Sequence, residues 1–140
     1  MDLIEFVNKY HRKKVDFDGA FGAQCVDLFR QYCKEVLRAS YQLPAVEGAK
    51  DLYLNYPGAI APKDYFNKVA TKEPVFGDVV IFGATNTNKY GHVAICLGFD
   101  EVTQKVLCFE QNGFTQKGGE IARRSNSNLL GVLRFKGDVG

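Results

Sequence analysis

Few residues in this chain can do chemistry, and one stands in a distinctive setting. Cys25 ends the run Asp16-Phe-Asp-Gly-Ala-Phe-Gly-Ala-Gln-Cys25 and begins Cys25-Val-Asp27. Gly19 and Gly22 interrupt regular structure ahead of Gln24. From Cys25 onward Val26, Phe29, Cys33, Val36 and Leu37 recur with helical spacing, which predicts a helix over 25–38. Cys25 then lies at a helix N-terminus, where unpaired N–H groups and the helix dipole favour a negative charge. A thiolate there is a nucleophile, and a nucleophile of this kind works with a base.

The chain has two histidines. His11 belongs to His11-Arg-Lys-Lys14, a basic run suited to the C-terminal end of a short helix. His92 is the better candidate. It opens the alternating run His92-Val-Ala-Ile-Cys-Leu-Gly-Phe99, and Lys105–Asn112 reads as a second strand beyond a turn-like Asp100–Gln104. An antiparallel hairpin centred near Val102 sets His92 opposite Asn112, Ala94 opposite Glu110 and Cys96 opposite Cys108, a register that one bulge would slip by one. Alternation alone puts His92 on a face with Ala94 and Cys96, and Glu110 and Asn112 on a face with Cys108. A carboxylate and an amide beside an imidazole are the groups that fix its tautomer. If the Cys25 helix packs on that face, thiol, base and orienting group meet.

These residues need elements to hold them. Asp2, with Glu5 three residues on, caps a helix expected over residues 3–12. Lys50–Tyr56 and Pro62–Val69 are expected as short helices. Pro74–Phe82 reads as a turn and a buried strand, Gly83–Gly91 as a polar loop, and Leu129–Phe135 as the last strand. Helices first and strands later, without β-α-β alternation, indicate an α+β fold with an antiparallel sheet, one domain over residues 1–140. Four scattered cysteines make no disulfide framework, and Cys33, Cys96 and Cys108 read as small buried hydrophobes.

Composition narrows the partners. The chain is 46% hydrophobic and 24% charged, and its net charge of +2 is too small to argue for nucleic acid. No apolar run approaches the roughly 18 residues of a membrane span, and the N-terminus lacks the pattern of a signal peptide.

Gln24-Cys25-Val-Asp27, Phe76-Gly-Asp-Val79, Gly91-His92-Val-Ala94 and Phe109-Glu110-Gln-Asn112 together resemble the CHAP domain, the cysteine, histidine-dependent amidohydrolases/peptidases common in phage endolysins. The resemblance implies a papain-like fold and bacterial peptidoglycan as substrate, cut at the muramoyl–peptide amide or within the peptide. It implies Cys25 as nucleophile, His92 as general base, Glu110 as its orienting partner, and Asn112 as support for the histidine or as a group that helps polarise the site. Gln24 corresponds to the side chain that helps hold an oxyanion with the Cys25 N–H. It also implies a protein made in a host cytoplasm that acts on the cell wall, either as a lytic enzyme by itself or as the catalytic domain of a longer chain with a wall-binding module; a monomer is expected. A catalytically silent wall-binding domain, a transglutaminase and an ordinary endopeptidase stay open as alternatives.

Asp16-Phe-Asp18-Gly19 has two readings by composition: an Asx-type turn, or a loop of hard oxygen ligands suited to Ca²⁺. It lacks the third ligand and the closing glutamate of an EF-hand. The resemblance favours calcium, with Asp16, Asp18 and Asp27 as ligands and backbone carbonyls near Ala20 and Gly22.

Overall fold

The computed structural model of the chain describes residues 1–17, 19, 24–39, 48–56, 64–113 and 116–140. Asp18, Ala20 and Gly22, and residues 62–63 of the helix expected at 62–69, lie outside them.

Helix α1 (Leu3–Tyr10) begins with reciprocal capping: Glu5 N–H donates to Asp2 Oδ1 at 2.8 Å, and Asp2 N–H to Glu5 Oε1 at 3.1 Å. It stops two residues before the expected end. Arg12 turns left-handed (φ 62°), and its N–H donates to Gly119 O at 2.6 Å, so the exposed basic run pairs along residue 119 instead of closing the helix. Helix α2 (Cys25–Glu35) also ends early, at a left-handed Arg38 (φ 58°). Helix α3 (Asp51–Leu54) lies within the expected 50–56 segment.

Among the described residues, six strands form one sheet in the order β1-β6-β2-β3-β4-β5. They are β1 (Phe66–Val69), β2 (Val79–Phe82), β3 (His92–Asp100), β4 (Lys105–Glu110), β5 (Glu120–Ser125) and β6 (Leu129–Phe135). All neighbouring pairs are antiparallel. Two differences from the sequence reading stand out. Residues 66–69 are an edge strand on β6, not a helix: only Phe66 is buried while Asn67 and Lys68 face out, the burial of a strand that pairs on one side. The sheet also gains β5, whose Glu-Ile-Ala-Arg-Arg-Ser carries too few apolar residues to announce a strand.

The sheet has two apolar faces. Val79, Ile81, Val93, Ile95, Phe109 and Leu133 pack with Leu3, Phe6, Leu28, Phe29 and Tyr32 of α1 and α2. Val80, Phe82, Ala94, Cys96, Val106, Cys108 and Val132 form a second cluster on the opposite face. That face is shut by curling. Asn126, just after β5, donates to Lys72 O at 2.8 Å and to Gln104 Oε1 at 3.1 Å, and Lys72 lies just beyond β1, so the two edge strands converge at one end.

The Phe76-Gly-Asp78 turn ties three elements together. Arg134 of β6 donates Nε and Nη2 to the two Asp78 carboxylate oxygens, both at 2.9 Å. Val75 N–H adds a bond at 2.9 Å, Tyr32 of α2 donates its hydroxyl to Gly77 O at 2.9 Å, and Cys96 N–H of β3 donates to Asp78 O at 2.8 Å. Asp78→Ala leaves the Val75 N–H and the Arg134 end of the fork without this partner, and is expected to lower stability by about 1 to 2 kcal/mol. In urea unfolding the midpoint should fall with the slope unchanged.

Candidate active site

Gln24 is the N-cap of α2 and is extended (φ −116°, ψ 166°). Its N–H donates to Asp27 Oδ2 at 2.9 Å, and Asp27 N–H returns a bond to Gln24 O at 3.1 Å. The carboxylate at the third helical position thus holds the first turn closed, next to the positive end of the helix dipole. Cys25 follows, half-buried, whereas Cys33, Cys96 and Cys108 are buried. Burial pushes the Cys96 thiol up to about 12 and Cys108 further in the same direction, so both stay protonated and inert.

One side chain fixes where this helix starts. Gln111, just past β4 and buried, accepts from Val15 N–H at 2.7 Å and donates Nε2 to Val15 O at 2.7 Å and to Gln24 O at 2.9 Å. The amide spends both its N–H donors and binds both ends of the 16–23 segment to the sheet.

His92 is delivered by a glycine. Gly91 is left-handed (φ 76°), and a Cβ there would lie 3.0 Å from Lys50 Cβ and 2.5 Å from Phe82 O. The imidazole is nearly buried, with Nε2 3.3 Å from Glu110 Oε1, within ion-pair range though off the line of a strict hydrogen bond. Cys25 lies close enough to the same ring that its sulfur favours the imidazolium. Burial works against the imidazolium, but Cys25 and Glu110 outweigh it and push His92 up to about 9 from an ordinary 6.5. Thiol and carboxylate therefore both bear on the one imidazole.

Glu110, the last residue of β4, has no exposed surface. Burial alone would raise its carboxyl, yet Arg124 and His92 hold it below the usual carboxylate range. Arg124 of β5 grips it with Nε on Oε1 at 2.6 Å and Nη2 on Oε2 at 2.7 Å. The Phe82 ring lies beside both cations, 6.3 Å from the His92 ring centre and 5.8 Å from the Arg124 guanidinium carbon.

Of the expected register, Cys96 pairs with Cys108, with Ile95 opposite Phe109 beside it; the ladder ends there, without the expected Ala94–Glu110 and His92–Asn112 pairs, and a bulge falls between Cys96 and Gly98. The helix does not pack on the His92 face. The body of α2 covers the face carrying Val93 and Ile95, and only its first residue reaches His92, at the strand's end. Asn112 lies outside β4 in a left-handed conformation (φ 56°), its Oδ1 buried without a hydrogen-bond partner among the described residues. Gln24 keeps an exposed side chain beside Cys25. Of the residues expected to hold a metal, Asp16 is exposed, with its carbonyl accepting from Gly19 N–H at 3.4 Å, and Asp27 is buried as the helix cap. Among the described residues no three His, Cys, Asp or Glu side chains gather as a metal site.

The sequence reading gave Gln111 no role and did not find Arg124. A signal existed for the second: a carboxylate expected inside a strand needs a cation to be buried with it.

An α+β fold with a helix-borne thiol, a strand-borne imidazole and a buried carboxylate has papain-like architecture. The chain belongs to the CHAP domain family, whose model matches residues 14–112. It is 35% identical over 143 aligned residues to endolysin PlyTW of Staphylococcus phage Twort (strain DSM 17442 / HER 48), covering 96% of this chain and 30% of that protein. Among solved structures it resembles wild-type endolysin LysIME-EF1, with TM-score 0.73 and 24% identity over 94% of this chain and 61% of that one. It also resembles Ly7917 with the hydrolyzing product of MDP, with TM-score 0.64 and 18% identity over 81% of this chain and 54% of that one. The chain thus spans less than two thirds of each of these relatives. Among the described residues no helix is long and apolar enough to cross a membrane.

The raised His92 value has a sign. The folded state holds its imidazole proton up to about 9, against 6.5 for the free group, so the stability it contributes is complete below about pH 6.5 and lost as pH climbs toward 9. Thermal unfolding scans should show the melting temperature falling across that window. His92→Gln should flatten the fall, and equal slopes in the two proteins would contradict the assignment.

Proposed function

We propose that this chain hydrolyses an amide bond of bacterial peptidoglycan, with Cys25 as nucleophile and His92 as base and acid. The observation that carries this reading is the meeting of Cys25, at the start of a helix, and Glu110 on the one imidazole of His92, in a chain 35% identical to a phage endolysin. The Cys25 thiolate attacks the amide carbonyl carbon, and the developing oxyanion is met by the Cys25 N–H and the Gln24 side chain. His92 gives its proton to the departing amine nitrogen as the C–N bond breaks, leaving a thioester. Water then attacks the thioester carbon, losing its proton to His92, and the thiolate leaves. Glu110 holds the ring in orientation throughout, and Asn112 supports it from the strand's end.

The scissile bond, muramoyl–L-alanine amide or a bond within the stem peptide or its cross-bridge, is to be read from fragment masses released from purified walls. Cys25→Ser should fold as the parent does and clear a wall suspension more than about 100-fold more slowly, because an alcohol is far less nucleophilic than a paired thiolate. Comparable clearing by both proteins would defeat the proposal, and clearing by neither would favour a silent wall-binding domain.

We propose in addition a structural Ca²⁺ held by Asp16, Asp18 and Asp27 with the carbonyls of Ala20 and Gly22. Supporting this are the hard oxygen donors and the place of Asp27 at the helix start, where a cation would relieve repulsion among the carboxylates. Bound there, it would pin the loop that leads into Gln24 and Cys25. EDTA should lower melting temperature and wall clearing together, and Ca²⁺ should restore both better than Mg²⁺. Unchanged melting and clearing after chelation would leave the loop as a turn.

A further inference from the structure

We propose that Arg124 is a positioning residue that keeps Glu110 ionised and aimed at His92; its part in catalysis rests on the hydrolase reading above. Glu110 has no exposed surface, and a carboxylate placed there would take up a proton unless a cation met it. Arg124 meets it on both oxygens, at 2.6 and 2.7 Å. The fork matters as much as the charge. Arg124 Nε and His92 Nε2 address the same oxygen, Oε1, at 2.6 and 3.3 Å, so the guanidinium plane sets the direction in which that oxygen faces the imidazole.

The surroundings are built for this pair. The guanidinium lies over Phe82, whose ring also flanks His92. The backbone passes the pair at Gly113, where a Cβ would lie 2.6 Å from Arg124 Nη2 and closer still to Glu110 Oε2. Arg124 stands opposite Val106, two pleats from Glu110, so its side chain crosses the Cys108–Ala122 pair to reach the carboxylate. The other titratable groups facing Glu110 are His92 from β3, Cys108 from β4 and Cys25 of α2 beyond the imidazole, while Glu120 of β5 faces Arg124. Arg124 is the permanent cation in this set.

The test follows the His92 ring by ¹³Cε1 NMR against pH, in a His11→Gln background so that one histidine resonance remains. The ring senses protonation of the neighbouring carboxylate as an acid-side inflection, which Glu110→Gln should abolish. In Arg124→Gln that inflection is expected about 1 to 3 pH units above the parent. Arg124→Lys, which keeps the charge and loses the fork, should move it upward by less. The acid limb of kcat/KM on peptidoglycan should move with it, through kcat and not KM. An inflection at the parental pH in a folded Arg124→Gln, even with a lowered melting temperature, would reduce Arg124 to a packing residue and overturn the proposal. Should Arg124→Gln not fold, an unshifted Arg124→Lys overturns it equally. The resonance needs no substrate, so a parent chain that leaves peptidoglycan intact would remove the hydrolase reading and leave this measurement standing.

Discussion

A thiol from the helical half of this chain has to meet an imidazole from the strand half, and the amide of Gln111 makes that meeting reproducible. It is bonded to Val15 on both backbone groups and to Gln24 O, and it is the residue next to Glu110. The helix that carries Cys25 and the Glu110 carboxylate are thereby referenced to one point of the backbone. Everything else in the site can be described relative to it: Cys25 one residue beyond Gln24, Glu110 one residue before Gln111, His92 across the ladder from β4. A buried amide with both N–H donors and its carbonyl oxygen engaged tolerates little rotation, which is why a site assembled from distant parts of a 140-residue chain can be narrow in geometry.

Electrostatics reinforces that geometry. A buried carboxylate is costly to desolvate and earns its place only when its partners are well directed. Glu110 has two, and they are of different kinds. Arg124 carries a charge that does not titrate near neutral pH, whereas the His92 imidazole is able to gain and lose a proton. Dividing the carboxylate between a fixed and a switchable cation lets the imidazole change state without stranding a buried charge. The fork between Asp78 and Arg134 of β6 is the structural counterpart, a similar pairing without a histidine.

Much of this was legible in the residues themselves. The capping pair Asp2/Glu5, the helical period after Cys25 and the short apolar runs at 79–82, 92–99 and 129–135 each reflect a local rule that tertiary packing did not override. The register at Cys96 and Cys108 followed from turn position and alternation, and with it the nearness of His92 to Glu110. What stayed hidden depends on partners distant in sequence. Residues 66–69 become a strand because β6 offers an edge, and Glu120–Ser125 because β4 does. The side of the sheet chosen by α2 is likewise a packing outcome: its apolar stripe fits Val93 and Ile95, and the thiol reaches His92 from the end of the helix. Gln111 was visible only as a polar residue between two others, since nothing local tells a side chain that its bonds will close on residues 15 and 24.

The bulge between Cys96 and Gly98 divides the β3–β4 hairpin into two separately phased parts. On the far side, Phe99 pairs with Val106 and Asp100 with Lys105 around an exposed turn; on the near side, Ile95 pairs with Phe109. A slip on one side of a bulge need not propagate to the other, because the extra residue takes up the change of phase. The distal hairpin is thus free to vary in length and composition while His92 and Glu110 keep their alignment. In terms of how such a domain diversifies, the tip is the place where new surface can be added to this scaffold without renegotiating its chemistry.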